Sequence, residues 1–449
     1  MESRNTRPLL LGLVTLFAAV GNATGQAPEA PLRLSFAEAL ARATGGAPVV
    51  SLAGFRSDEA RGRVRESRSP LLPSLTASGS WVNRTFNKDA LGIEFPNFPG
   101  APSGKLIGPF DVYDLRLQLN QTLLDFSSSA RVRAARAQLA SAVADSGLAA
   151  EGAAQATATA YLRATRAQAL IAARQADSAL AAELVALAQA QKDAEVGTQI
   201  DVTRARTQLV SAVGSLVVAR NQYERARIDL VRSLGLPSDA AVVLTDTLAA
   251  GLPVVTLPDA RDAVVALALA QRPDLNAESA RGLAARRSVS AISAERLPRV
   301  ALEADYGANG VSLTDAIATR QIALQVSVPI LDGFRREARQ DEQRAVVRAS
   351  DVRVEELRRQ VAADVDAARL DLGSAQEQVT IALERLRLAQ EEVDQARERF
   401  KAGVAGNIEV IEAQTSLIRA RDTDIDARFA AAAAQVALAR AAGVARTLH

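Results

Sequence analysis

Three carboxylates stand out by position. Glu409 and Glu412, three residues apart, share one face of a helix that begins just past Gly406, and Asp201 opens a matching helix after Gly197. Acids in a first turn favour the helix dipole on a solvated face, which is the plainest reading of all three. What else they can do is bounded by what the chain lacks. It has no cysteine and one histidine, His449. Thiolate nucleophiles, disulfides, sulfur metal sites, histidine triads and multi-histidine cages are therefore out of reach. Gly197, Gly403 and Gly406 come without a GxGxxG or Walker pattern and read as turn residues, not as a phosphate loop. No acid and base pair is placed for catalysis, so no enzyme activity, metal or cofactor is expected.

Bulk properties agree. The 449 residues carry 53 basic and 51 acidic side chains, and a formal charge of +2 offers no field for nucleic acid. Paired arginines such as Arg286-Arg287, Arg335-Arg336 and Arg358-Arg359 lie among acids and read as solvated surface. Apolar residues make up 48% but aromatic ones only 4%, so alanine, leucine and valine dominate and favour long, closely packed helices. Arg4 and Arg7 precede an apolar run from Leu9 to Val20 and then Ala23-Thr24-Gly25, which predicts a signal peptide over residues 1–25. That run is too short to span a bilayer, no cysteine follows it as a lipid anchor, and no later segment is apolar enough for a transmembrane helix. A membrane form must use strands.

The elements that position the acids follow from proline and alanine. Proline is absent from 110 to 236 and from 330 to 449. The alanine-rich runs from Ser127 to about Glu195 and from Phe334 to Ala402 predict two helices, each roughly 100 Å long at ~1.5 Å per residue. Such helices must pack on others along their length. Glycine breaks lead into second helices, Ile200 to Leu234 and Ile408 to Ala442, making two hairpins with glycine tips. The halves repeat: Ile200-Asp201-Val202 aligns with Ile408-Glu409-Val410 at an offset of 208, and Leu124-Asp125 with Leu331-Asp332 at 207. This predicts a duplication over 26–250 and 251–449, each half starting with two short helices, the second ending at Pro70 or Pro298.

Between the short and long helices lie β-hairpins at about 74–123 and 299–330. Leu115, Leu117 and Leu119 alternate with Arg116, Gln118 and Asn120, and Ile322, Leu324 and Val326 alternate with Gln321, Ala323 and Gln325. Each strand has an apolar and a polar face, at a length suited to a tilted bilayer crossing. The first hairpin closes through a Pro/Gly-rich loop from Asn87 to Pro109, the second around Asn309-Gly310. Four strands cannot close a barrel, since transmembrane barrels need about 8 and open edges are not tolerated in lipid. Several copies must therefore share one barrel, with polar faces inward and apolar faces to lipid.

At this point the chain resembles the TolC family of outer-membrane efflux proteins. The resemblance rests on Arg272-Pro273-Asp274-Leu275, on Ser327-Val328-Pro329-Ile330-Leu331-Asp332-Gly333, and on Phe400-Lys401-Ala402-Gly403 leading to Ile408-Glu409-Val410-Ile411-Glu412-Ala413-Gln414. It implies a mainly α fold with a transmembrane β part: a homotrimer sharing a twelve-stranded outer-membrane barrel above a periplasmic tunnel of helical hairpins. The implied partners are a periplasmic adaptor, an inner-membrane pump or ABC exporter, and outer-membrane lipid, serving efflux or type I secretion. The resemblance also implies that Glu409 and Glu412 narrow the periplasmic end, that Asp201 sits at the gate-latching position, and that Gly197, Gly403 and Gly406 shape tips that dock the adaptor. Pro329 marks the turn from strand to helix. The latch's usual tyrosine and arginine correspond here to Phe400 and Ala405, leaving Arg204 or Arg399 as substitutes. The competing reading is a periplasmic coiled-coil adaptor or scaffold, which should carry one hairpin and a lipoyl-like β module.

Overall fold

The computed structural model describes residues 31–87, 90, 106–250 and 257–448; the predicted signal segment and most of the first strand-connecting loop lie outside them. Chain order is β1 (Leu32–Leu34), α1 (Phe36–Gly46), α2 (Pro48–Arg68), β2 (Ser74–Asn87), β3 (Leu106–Asp125), α3 (Phe126–Asp193) and α4 (Gln199–Ser233). There follow β4 (Val242–Leu244), α5 (Arg261–Gln271), α6 (Pro273–Ala294), β5 (Arg299–Gly310), β6 (Ile317–Ser327), α7 (Arg335–Lys401) and α8 (Asn407–Ala441).

Two helical hairpins, α3–α4 and α7–α8, dominate. With 68 and 67 residues, α3 and α7 each run roughly 100 Å. Asp125 starts α3 by accepting the backbone N–H groups of Ser127 (2.9 Å) and Ser128 (3.1 Å). Asp332, its counterpart in the second half, accepts the Arg336 N–H at 3.2 Å. The seams follow a strict count. Buried alanines recur every seventh residue at 368, 375, 382, 389 and 396 on α7, at 413, 420, 427, 434 and 441 on α8, and at 205, 212 and 219 on α4. A seven-residue period turns the same stripe toward the partner as the pair winds left-handedly, and alanine lets the backbones close in. Because α3 packs on both α4 and α8, it joins the hairpins. Across that seam Arg174 meets Asp422 at 2.6 Å and Arg166 meets Asp426 at 2.6 Å, while buried Asp177 accepts from Arg174 and Arg421.

Midway along the hairpins, β1 and β4 form a two-stranded parallel sheet. Three residues per strand are too few for alternation to show in the sequence. Beneath it Tyr161 is fully buried, edge-on to Phe36 at 5.6 Å, and its hydroxyl donates to the Leu34 carbonyl (3.0 Å) and Asp246 Oδ2 (2.9 Å). Burial, then the Asp246 carboxylate, push the phenol well above its ordinary pKa, so it stays a donor at any working pH. Tyr161→Phe removes the phenolic donor from two acceptors that keep other partners, Thr245 on the Leu34 carbonyl and the Phe36 N–H on Asp246. Thermal unfolding should show a loss of about 0.5–1.5 kcal/mol with the fold retained.

The four-stranded sheet is antiparallel in the order β2-β3-β5-β6, so β2 and β6 are its two free edges. The first hairpin is longer than its loop residues suggest. Instead of a loop to Pro109, β3 begins at Leu106 and pairs with β2 as far as Asn87. Beside this extension Trp81 Nε1 and Asn83 Nδ2 both donate to Asp111 Oδ1 across the pair, and the Arg84 guanidinium lies 4.7 Å from the Phe86 ring centre on its own strand and 5.6 Å from that of Phe110 on the other. At the second hairpin Asn309 and Gly310 belong to β5, and the turn lies at 311–316.

Candidate conduit and gate

Register sorts the sheet into two faces. Leu75, Leu119, Ala304 and Ile322 are successive cross-strand partners in one row, and Ala77, Leu117 and Tyr306 continue that face. On the other side Thr76, Gln118, Asp305 and Gln321 form a row beside Arg116, which bridges Asp114 and Asp305. Large apolar side chains on the first face point into open space, with Ile322 75% and Leu75 68% exposed. A soluble sheet would bury that face against another layer. Here no second layer covers it among the described residues, and no described helix is long and apolar enough to cross a membrane. Pro329 follows β6, and its carbonyl accepts from Arg336 at 3.4 Å as the chain turns into α7.

At the far end of the hairpins the tips are unequal although their sequences align at an offset of 208. In the second, Gly403 takes the left-handed conformation (φ +71°) that ends α7; the equivalent residue of the first tip is Glu195 (φ +61°), not Gly197. Gly197 is needed for another reason: a Cβ there would stand 2.9 Å from the Lys192 backbone nitrogen. Gly406 is the N-cap of α8 in ordinary extended geometry, with open space around it. Its counterpart Thr198 carries a side chain, and this decides the fate of the acids. Asp201, third residue of α4, folds back onto the Thr198 backbone N–H (3.2 Å) and hydroxyl as a capping box. Glu409, third residue of α8, has no such hydroxyl at Gly406 and reaches Arg399 instead, at 3.2 and 3.4 Å. Glu412 is exposed, with no polar partner among the described residues.

Arg399 therefore does not stand in as a partner of Asp201. Phe400 is buried with Val393, Val410 and Leu417 in the core that unites the four helix ends. Two amides absent from the sequence reading tie the tips together. Gln191 Nε2 donates to the Phe400 carbonyl at 2.7 Å, and fully buried Asn407 donates through Nδ2 to the Asp201 carbonyl at 2.8 Å. An asparagine one residue past a tip glycine was the available signal, and by type alone it reads as a turn.

Comparison with known proteins matches residues 39–236 and 264–444 to the family described as outer membrane efflux protein. The pyoverdine export outer membrane protein OpmQ of Pseudomonas putida is 25% identical over 270 residues, 58% of this chain. That alignment spans 55% of OpmQ. Among solved structures, the outer-membrane channel OprN superposes with a TM-score of 0.74 at 20% identity, covering 91% of this chain and 89% of that one. The outer membrane protein VceC of Vibrio cholerae gives 0.73 at 20% identity, covering 91% and 96%. These superpositions show a shared fold.

Proposed function

Because the chain belongs to the outer membrane efflux protein family, we propose that three copies close one twelve-stranded barrel in the outer membrane and that their helical hairpins continue it as a periplasmic tunnel. The observation that carries this is the four-stranded sheet with two free edges and one bare apolar face. In lipid an open edge leaves backbone groups without partners, and pairing β6 of one copy with β2 of the next removes every edge at once. The polar row of Gln118, Asp305 and Gln321 then faces the lumen. The protein is an exit duct and not a catalyst. It receives cargo from an inner-membrane pump or ABC exporter through a periplasmic adaptor that docks at the tips shaped by Gly197, Gly403 and Gly406, and releases it outside.

The periplasmic mouth is the proposed gate. Glu412 supplies its free charge, Glu409 shares its charge with Arg399, and Asp201 acts by shaping the first tip as its capping acid. Two like charges 4 Å apart repel by ~1 kcal/mol in water and ~4 at an effective dielectric of 20, so a narrow ring of Glu412 favours cations and is relieved by widening. Planar-bilayer recordings of the purified full chain under a tenfold salt gradient test this. Wild type should show a cation-preferring reversal potential, bounded by ~59 mV for perfect selectivity. Glu409→Gln/Glu412→Gln should move it toward zero and raise conductance. An unchanged pore discards the gate; a soluble monomer that forms no pore discards the duct.

A further inference from the structure

One cavity carries charge that conduction does not use. It has a volume of about 510 Å³ and lies where the strands meet the long helices, between the N-termini of α3 and α7 and the C-terminal end of α6. Its carboxylates are already engaged. Asp125 takes the N–H and hydroxyl groups of Ser127 and Ser128, Asp332 pairs with Arg336 at 2.9 Å, and Glu295 with Arg339 at 3.0 Å. Arg299 and Arg335 line the same space with no ion pair among the described residues, and Arg131 donates only to Ser127 Oγ.

By its sequence context Arg336 reads as solvated surface, yet its side chain is only 6% exposed. Its NH1 reaches the Glu295 and Pro329 carbonyls at 3.4 Å, while its Nε, although close to Asp332, makes no hydrogen bond. Folding has thus buried one guanidinium and gathered unpaired ones around it.

Register tells which compartment the cavity meets. Asp125, Arg299 and Ser327 are cross-strand partners in one row, and along β5 that row shares its face with Glu303 and Asp305, not with Ala304 and Tyr306. On the duct reading, that is the water-filled side. We propose that this niche binds a phosphate-type oxyanion from the lumen, one site per protomer, with Arg299 and Arg335 as the principal ligands. The inference rests on the duct reading for its choice of face. Charge along the path then reverses, from carboxylates at the periplasmic mouth to guanidiniums at the foot of the barrel, which gives anionic cargo a holding point near the exit.

The test is equilibrium dialysis of radiolabelled inorganic pyrophosphate against the full chain in phosphatidylcholine nanodiscs at low ionic strength. Wild type should bind it saturably, and Arg299→Gln/Arg335→Gln should weaken binding by at least about tenfold. Arg358→Gln, on an exposed helix face, should leave it unchanged. No saturable binding in wild type, or equal binding in the double variant, overturns the proposal. Both residues are exposed, so the variant should fold; should it not assemble, each single substitution is read the same way. Repeating the dialysis in phosphatidylglycerol discs separates the two sources of phosphate. Unchanged binding supports the lumen, whereas suppressed binding means that lipid headgroups fill the niche and overturns its assignment. Bilayer recordings of the same variant keep the duct separate: a normal pore without pyrophosphate binding speaks to the niche alone, and absence of a pore in wild type speaks against the duct.

Discussion

Ile322→Arg should abolish assembly in the outer membrane, while Gln321→Arg, one residue away, should be tolerated. Ile322 stands near the middle of β6 on the bare apolar face, in a row with Ala304 and Leu119. An arginine facing lipid near the midplane costs about 2–4 kcal/mol, and a trimer carries the substitution three times. The total approaches the whole stability of an ordinary domain. Gln321 sits on the opposite face beside Asp305, where a cation meets water and a carboxylate. Heat-modifiable trimers in outer-membrane fractions give the readout. Equal loss in both variants would mean that the faces are assigned wrongly.

Arg272→Ala should destabilise the periplasmic part by about 1–3 kcal/mol, as expected when the charged hydrogen-bond partner of two partly exposed carboxylates is removed. The Arg272 side chain, 10% exposed, bridges Asp274 at 2.6 Å and Asp364 at 2.7 Å. The pH dependence carries the signature. Burial raises the Asp274 pKa, but the Arg272 guanidinium outweighs burial and holds the carboxyl below the usual carboxylate range. A depressed folded-state pKa contributes stability that is present above the unfolded value of about 3.9 and lost as pH falls through the folded one. Wild-type melting temperature should therefore drop on acidification below about pH 4. In Arg272→Ala that acid limb should flatten, because Asp274 no longer gains from ionising. An acid limb of equal steepness in both proteins would assign it to other carboxylates.

Much of this architecture is legible in one dimension. Long proline-free alanine runs produce helices because each residue's preference and period act locally, and the alternation in β3, β5 and β6 sets two faces because strand side chains point to opposite sides. The offset of 208 between the tips is likewise visible from residue identities alone. What each acid does there is not. Asp201 and Glu409 occupy the same helical position, yet one caps its own helix and the other pairs with Arg399, because Thr198 has a hydroxyl where Gly406 has none and because α7 brings Arg399 alongside. The same holds at the foot of the barrel. Arg335-Arg336 reads as surface charge, but the burial of Arg336 depends on how α6, β6 and α7 converge, and that convergence joins residues 295, 329 and 336.

By itself the sequence determined the helices, the two-faced strands and the lack of catalytic chemistry, since each depends on composition or on neighbours within a few positions. Only the tertiary structure decided which charges are spent on one another and which stay free. Ion pairs and buried amides such as Asn407 to the Asp201 carbonyl join residues some 200 positions apart, and no local period encodes that distance.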